Sequence, residues 1–186
     1  MKTIFIHRKS TVYELLPKLR QQDRAAQKEV YDVFAPKMLG VCRNYISDIH
    51  YAEDVMNKAF FKVFQNVGSF KSEGSFEGWI RRIMVNESLT FLRLNKSLIY
   101  LEEDKISDEP AEYEEDLDRI DAQELLDGLP ESYRAVFNLY VLEDYSHKEI
   151  AEMLNITETT SKTQLFRAKK KLKDIILQKT RIQNEN

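Results

Sequence analysis

The chain has 186 residues, a formal net charge of −3, 42% hydrophobic and 32% charged residues, and only five glycines and four prolines. This length suits one mid-sized domain or two small ones, and so few turn-forming residues argue against an all-β sandwich or barrel. One cysteine excludes an internal disulfide or a multi-cysteine zinc site, and no apolar run suits a signal peptide or a membrane span, so a cytoplasmic protein without a cofactor is predicted.

Charge is divided unevenly along the chain. Residues 1–96 carry 16 basic and 10 acidic side chains, residues 97–121 carry 2 and 11, residues 122–157 carry 2 and 7, and residues 158–186 carry 8 and 3. This division predicts two cationic surfaces on either side of an anionic connector. The negative total therefore does not exclude a nucleic-acid partner.

The first part of the chain has the apolar spacing of a helical bundle. Apolar side chains recur every three or four residues, which is the period of a buried helix face. They are Val30, Phe34, Met38, Val41 and Tyr45, then Val55, Ala59 and Val63, then Ile80, Met84 and Phe91. The segment FKSEGSFEG at 70–78 interrupts this pattern with two glycines, which predicts a loop followed by a helix that Ser75 caps.

An acidic connector follows the bundle. Residues 101–121, LEEDKISDEPAEYEEDLDRID, have no sustained apolar period and carry Pro110 at their centre. High charge with little apolar content is typical of a flexible segment. We therefore expect a tether between two domains.

Beyond the connector, the sequence predicts a helix and then a helix-turn-helix. Apolar spacing from Leu125 to Tyr140 indicates one helix, with Pro130 at a turn or a first helical position. Ser146 and Glu149 then form a capping-box pattern, and the turn Asn155–Ile156–Thr157 offers Thr157 as the N-cap of a second helix.

The second of these two helices has two distinct faces. At 100° per residue a narrow core stripe is predicted for Ser161, Leu165, Ala168 and Leu172. The opposite face is polar and cationic, as a helix that enters the DNA major groove requires. It holds Thr159, Thr163, Phe166, Arg167 and Lys170, with Thr160 and Lys162 at its edges. A solvated cationic face is the alternative, and the capped helix and turn before it favour DNA.

The two helical segments together resemble a known family, the extracytoplasmic-function group of bacterial sigma-70 factors. YAEDVMNKAFFKVFQNVGSFKSEGSFEGWIRRIMVNESLTFLR at 51–93 resembles sigma region 2, and LPESYRAVFNLYVLEDYSHKEIAEMLNITETTSKTQLFRAKKKL at 129–172 resembles region 4. The resemblance implies an all-α fold with a region 2 domain at 1–96, a linker at 97–121 and a region 4 domain at 122–186. It also implies a non-enzymatic factor that directs RNA polymerase to promoters.

The resemblance also implies partners and their contact residues. In this family the helix that carries the AED motif docks on the clamp helices of the polymerase β′ subunit, which assigns Glu53, Asp54 and Asn57 to core polymerase. Lys58 departs from the acidic residue usual at its position and weakens the acidic cluster. Contacts to the β subunit, promoter DNA and an anti-sigma factor are expected by the same resemblance.

Residues 70–86 resemble the segment that opens the −10 element and holds flipped bases, for which aromatic surfaces and cations are suited. The resemblance assigns −10 DNA to Phe70, Lys71, Ser72, Arg81, Arg82 and Asn86, and −35 DNA to the polar face at 159–170. Phe76 and Trp79 are predicted to pack in the core. For Asn86, a buried amide bonded to the backbone is an alternative.

Two other classes of protein are considered. A stand-alone helix-turn-helix regulator would use residues 1–96 for sensing or dimerisation, and the WIRRIM segment beside an aromatic loop argues against it. An enzyme acting on a small-molecule substrate would need a phosphate-binding glycine loop, a metal-ligand spacing or a nucleophile with a base, and the sequence offers none of these motifs.

Overall fold

The structure, a computed structural model, describes residues 3–95 and 121–184, with side chains from 12 to 95 and from 121 to 180. Over these ranges the chain forms eight α-helices, a short 3-10 turn at Val67–Ser69 and no β-strand. It divides into two compact units after Phe91. The predicted all-α class with two helical domains is confirmed, while the connector up to residue 120 lies outside the described residues.

The first unit contains four helices. They are α1 at Thr3–Arg20, α2 at Arg24–Arg43, α3 at Ile49–Asn66 and α4 at Phe76–Leu94. Side-chain oxygens of Asp23 and Asp48 accept hydrogen bonds from backbone N–H groups in the first turns of α2 and α3, which fixes where these helices begin.

The core of the first unit is formed by the apolar series that the sequence predicted. Val30 and Met38 of α2 are fully buried, as are Tyr45 in the turn after α2 and Ala59 and Val63 of α3. Ile80 and Met84 of α4 complete this core, while Phe91 is half-buried, with its ring centroid 5.6 Å from that of Tyr51. The periodicity therefore identified the correct helix faces.

The loop before α4 is shorter than predicted. Ser75 does cap α4, because its hydroxyl accepts a hydrogen bond from the N–H of Gly78 at 3.2 Å. Gly78 was expected to interrupt the helix, and it lies inside α4 instead. A single helical glycine costs only about 1 kcal/mol, which the buried contacts of α4 outweigh.

The second unit contains α5 at Ala122–Asp127, α6 at Glu131–Val141, α7 at His147–Leu154 and α8 at Glu158–Asn184. The single helix predicted from Leu125 to Tyr140 is two helices, because Gly128 ends α5 and Pro130 is the N-cap residue of α6. A Cβ at Gly128 would lie 2.7 Å from Cδ1 of Ile175, so α5 and α8 approach closely at this glycine. No described helix is long and apolar enough to cross a membrane.

Candidate nucleic-acid interface

The helix-turn-helix of α7 and α8 is held by the local hydrogen bonds that the sequence predicted. The Ser146 hydroxyl accepts from the N–H of Glu149 at 3.3 Å, and the Glu149 carboxylate accepts from the N–H of Ser146 at 2.8 Å. The Ser146 hydroxyl also donates to Glu149 Oε2 at 2.6 Å, and this bond together with that from the Ser146 N–H holds the pKa of the Glu149 carboxyl below its usual range. Asn155 ends α7 at a φ of 54°, and the Thr157 hydroxyl caps α8 by accepting from the N–H of Thr160 at 3.0 Å.

The inner face of α8 follows the predicted core stripe. Ser161, Leu165 and Ala168 are buried, and Leu172 packs on the apolar cluster that contains Ala168. Gln164 also lies on the buried side of α8, next to this stripe. Its side chain is fully buried, and neither atom of its amide group has a hydrogen-bond partner within the described part of the chain.

The outer face of α8 carries the residues predicted to bind DNA. Lys162 lies within 3.9 Å of Glu158, and because both side chains are exposed this ion pair is weak enough for a phosphate or base to replace it. Thr160 is held by a 2.8 Å hydrogen bond to the Thr157 hydroxyl, which places it at the helix start. Thr159, Lys162 and Lys170 are exposed, and Thr160, Thr163, Phe166 and Arg167 are half-buried.

A contact between His147 and Ser161 joins the two helices of the motif. His147 Nδ1 lies 2.9 Å from the Ser161 hydroxyl oxygen, and the imidazole stacks on Tyr140 with ring centroids 4.6 Å apart. Burial and the nearby Lys162 ammonium lower the pKa of His147, although Glu158 opposes them. The Ser161 hydroxyl, although buried on the core stripe of α8, therefore has a polar partner.

On α3, the three residues predicted to bind polymerase share an exposed surface. Glu53, Asp54 and Asn57 are all exposed. Asn57 is fixed by Tyr31 of α2, whose hydroxyl donates to Asn57 Oδ1 at 2.8 Å. We call Glu53, Asp54 and Asn57 the α3 acidic face.

Phe61 belongs to the same side of α3 and was not predicted. Its side chain is 63% exposed, whereas its neighbour Phe60 is 2% exposed. At 100° per residue Phe61 falls between Asn57 and Asp54 around the helix axis. The Phe60–Phe61 doublet could have indicated this, because a helix buries only one of two consecutive rings on a single face.

Lys58, which departs from the family pattern, has a partner within the protein. Its Nζ lies 3.9 Å from Oε2 of Glu87 on α4, and Nζ of Lys62 lies 2.5 Å from the other oxygen of that carboxylate. Glu87 is buried, so two cations balance one acid between α3 and α4. Nothing local in the sequence predicts this cluster, because its members lie on different helices.

The loop at 70–75 rests on an aromatic cluster that includes a residue we had assigned to DNA. Phe70 is 3% exposed, with its ring centroid 5.1 Å from that of Phe76 and 5.6 Å from that of Trp79. Its predicted contact with DNA is therefore corrected, because a ring packed under the loop offers no free surface to a base. Phe76 is buried and Trp79 half-buried in this cluster, as predicted.

The remaining residues predicted to bind −10 DNA lie at or near the surface. Lys71 and Ser72 are exposed on the loop, and Arg82 and Asn86 are exposed one turn apart on α4. Asn86 is therefore not the buried amide considered as its alternative. Arg81 is half-buried and about 100° around the helix from Arg82, so the two arginines point in different directions.

Cys42 is a free cysteine that lies buried in the first unit. Burial raises the pKa of the Cys42 thiol to about 11, which leaves it protonated near neutral pH. No group of three or more His, Cys, Asp or Glu side chains that could hold a metal ion is present between residues 12–95 or 121–180.

Family comparisons agree with this arrangement. Residues 30–97 match the model of sigma-70 region 2 and residues 119–172 match that of sigma-70 region 4, in the order expected. The chain belongs to the extracytoplasmic-function subfamily of the sigma-70 family, and it is an RNA polymerase sigma factor. The presence of region 2 beside region 4 leaves the stand-alone regulator without support.

Individual relatives span most of the chain. The sigma factor SigW of Bacillus subtilis strain 168 is 27% identical over 85% of this chain and 92% of its own length. SigM of the same organism is 25% identical over 78% of this chain and 91% of its own. The sigma factor RpoE of Bartonella quintana, solved with the anti-sigma factor NepR, has the same fold with a TM-score of 0.50, 20% identity and coverage of 80% of this chain and 95% of that one.

Proposed function

We propose that this sigma factor divides its work between its two units, with boundaries at 1–96 and 122–186 and a tether at 97–121. The first unit binds core polymerase through the α3 acidic face and holds the opened −10 strand. The second unit binds the −35 element as duplex. The polymerase performs all the chemistry, and the factor acts in the cytoplasm, where the polymerase works.

The observation that carries the −35 assignment is the geometry of α8. Its inner face is buried, its start is fixed by the Thr157 cap, and the opposite face presents Lys162 and Lys170. A recognition helix reads base edges with its N-terminal residues and neutralises phosphates further along. Thr159, Lys162 and Thr163 are therefore proposed for bases, and Arg167 and Lys170 for phosphates.

The −10 assignment now depends on Lys71, Ser72, Arg82 and Asn86, with Arg81 in a supporting position. The aromatic rings of Phe70, Phe76 and Trp79 already pack against one another, so the contacts proposed for these polar and charged side chains are polar and ionic. Flipped bases would meet Trp79, the half-buried member of the cluster, before they met Phe70.

Polymerase docking is supported by the composition of the α3 acidic face. Its carboxylates suit a partner rich in arginine, because arginine pairs with carboxylates through two parallel hydrogen bonds. The tie between Tyr31 and Asn57 reduces the ordering cost at binding. On family membership we also propose contacts to the β subunit and an anti-sigma factor as a regulatory partner, and RpoE of Bartonella quintana was solved with such a factor.

Two single substitutions separate these roles. Arg167→Ala should weaken −35 duplex binding by about 1–2 kcal/mol and leave core polymerase binding intact, because it removes one cation from the DNA face. Asp54→Ala should weaken core binding about tenfold and leave −35 binding intact, because it removes one carboxylate that faces the clamp helices. Fluorescence anisotropy with labelled duplex and with labelled core polymerase measures both quantities.

Matched controls make this test specific. Lys179→Ala removes a cation from the same helix where it pairs with Glu124, and Asp32→Ala removes an exposed acid that pairs with Lys28. Neither control should change either affinity by more than about twofold. Loss of core binding in Arg167→Ala, or full core binding by Asp54→Ala, contradicts the proposed division.

A further inference from the structure

Helix α1 contacts the promoter-facing loop although it lies outside the two matched family regions. The region 2 match begins at residue 30, and α1 ends at Arg20. None of the assignments above gives α1 a role. Its contacts with residues 70–76 nevertheless place it beside the segment proposed to hold the −10 strand.

Two polar side chains of α1 reach the backbone at the two ends of this loop. The Arg20 guanidinium donates to the carbonyl oxygen of Phe70 at 3.1 Å. The Tyr13 hydroxyl lies 3.4 Å from the carbonyl oxygen of Gly74 and 3.5 Å from the N–H of Phe76, so its two hydrogen bonds are long. Arg20 is therefore the stronger anchor, and Tyr13 the weaker one.

The loop between these anchors has a backbone that needs support. Ser72 has a φ of 60° and Gly74 a φ of 85°, both in the left-handed region. Glycine adopts this region freely, whereas a serine there is disfavoured unless surrounding contacts hold it. The loop leads directly to α4, where Ser75 caps the first turn, so its shape also sets where Lys71 and Ser72 point.

Helix α1 is itself firmly attached to the first unit. Val12, Leu16 and Leu19 are buried against it, and the turn after α1 is tied to α3 by Gln22, whose side-chain amide donates to the carbonyl oxygen of Phe64 at 2.9 Å. The anchors therefore extend from a packed helix, and they fix the loop relative to the core.

We infer that α1 is a positioning helix for the −10 loop, with Arg20 and Tyr13 fixing the backbone so that Lys71 and Ser72 meet the DNA strand. This inference rests on the proposed function, which supplies the DNA. Arg20 and Tyr13 act through the loop backbone, and a loop that is already ordered binds the strand more tightly because less ordering accompanies binding.

The experiment compares Arg20→Gln, Tyr13→Phe and the conservative Arg20→Lys with Lys18→Gln as the control. Lys18 is an exposed cation of the same helix, so its replacement removes the same charge without touching the loop. Each full-length variant is bound to core polymerase, and its affinity for a fluorescent single strand carrying the −10 region of a promoter that the wild type transcribes is measured. Backbone amide exchange at 72–76 is measured on the free proteins.

Arg20→Gln should weaken strand binding about three- to tenfold and speed exchange at Gly74 and Phe76, with the melting temperature and core affinity unchanged. Tyr13→Phe should weaken strand binding about twofold, since its hydrogen bonds are long. Arg20→Lys should recover part of the loss, because an ammonium can still donate to the Phe70 carbonyl.

Other outcomes overturn the inference or separate it from the proposed function. If Arg20→Gln matches Lys18→Gln in both exchange and strand binding, α1 does not position the loop. An equal loss of strand binding in Arg20→Gln and Lys18→Gln, without faster amide exchange in either, also overturns the inference. Such a loss reflects only the positive charge that both substitutions remove. Faster exchange in Arg20→Gln, when even the wild type binds no −10 strand, supports the anchoring and refutes the proposed contact of the loop with the −10 strand.

Discussion

Gln164 places an amide group in the core of the second unit without a hydrogen-bond partner among the described residues. Leaving a buried polar group unpaired costs about 1–3 kcal/mol, and an apolar side chain of similar size avoids that cost. Gln164→Leu should therefore raise the free energy of unfolding by about 1–2 kcal/mol. Chemical denaturation followed by circular dichroism measures this change, and DNA affinity should not move.

The control for this prediction is Gln65→Leu, because Gln65 is exposed on α3. It should change the free energy of unfolding by less than about 0.5 kcal/mol. Destabilisation by Gln164→Leu would show that the amide has a partner that stabilises the fold.

Lys58 offers a second test at the scale of single residues. Replacing it with the glutamate usual in the family puts a second carboxylate near buried Glu87, where like charges repel and one of two cations is lost. Lys58→Glu should therefore lower the free energy of unfolding by about 1–2 kcal/mol, and adding Glu87→Gln should recover most of it. Thermal denaturation of the single and double variants measures both effects.

Lys28→Glu is the matched control, because it reverses one charge of an ion pair that is exposed on both sides. Its cost should stay below about 1 kcal/mol. Equal costs for Lys58→Glu and Lys28→Glu would show that burial of Glu87 does not matter.

Local signals in the sequence predicted individual residues well where short-range hydrogen bonds decide the structure. Ser146, Glu149 and Thr157 cap helices as expected, since a cap depends on residues at most three positions away. Contacts between distant segments were not predicted. Glu87 meets Lys58 only because α3 packs on α4, and Phe70 is buried because two later aromatic side chains cover it.

At the scale of elements, apolar periodicity predicted which segments of the bundle are helical. It predicted less well the residues at which those helices begin and end. Gly78 looked like a break and is helical, whereas Gly128 and Pro130 do separate α5 from α6. The two glycines differ in their tertiary packing. Helix α4 buries Ile80 and Met84 just after Gly78, whereas Gly128 lies against Ile175. Helix α1 continues through Pro17, and nothing in the sequence predicted its contact with the loop at 70–75.

The α7–α8 junction should respond to pH through His147. Its pKa is lowered in the folded protein, mainly by burial, so acid protonates the unfolded chain before the folded one. The contribution of the neutral imidazole to the free energy of unfolding is therefore complete above the unfolded pKa of 6.5. It is lost as the pH falls below 6.5 and through the lower pKa of the folded protein. Amide-exchange protection in α7 and α8 should therefore drop as the pH falls below 6.5.

His147→Gln is the comparison, because glutamine keeps a polar contact for Ser161 and does not titrate in this range. Its protection should change less over the same fall in pH. A variant that loses protection as steeply as the wild type would show that another group controls the junction.

At the scale of the whole molecule, a net charge of −3 hides a division of charge between surfaces. The cationic face of α8 and Lys71 of the loop at 70–75 belong to different units, and the α3 acidic face carries the opposite sign. Opposite signs on separate surfaces allow one chain to bind a polyanion and an arginine-rich protein at once. Counting charge predicted the cation surplus at 1–96 and at 158–186, whereas the α3 acidic face lies inside the first of these segments and was assigned by family resemblance.

The most direct test of the central claim is reconstituted transcription. The purified chain is added to sigma-free core polymerase with genomic DNA fragments, and the 5′ ends of the transcripts are sequenced. We predict new 5′ ends that share two upstream elements, near −10 and −35, and thymines in the −10 element that react with permanganate only when both chain and core are present. Transcripts no different from those of core polymerase alone, or a duplex footprint formed equally well without core, would contradict the account.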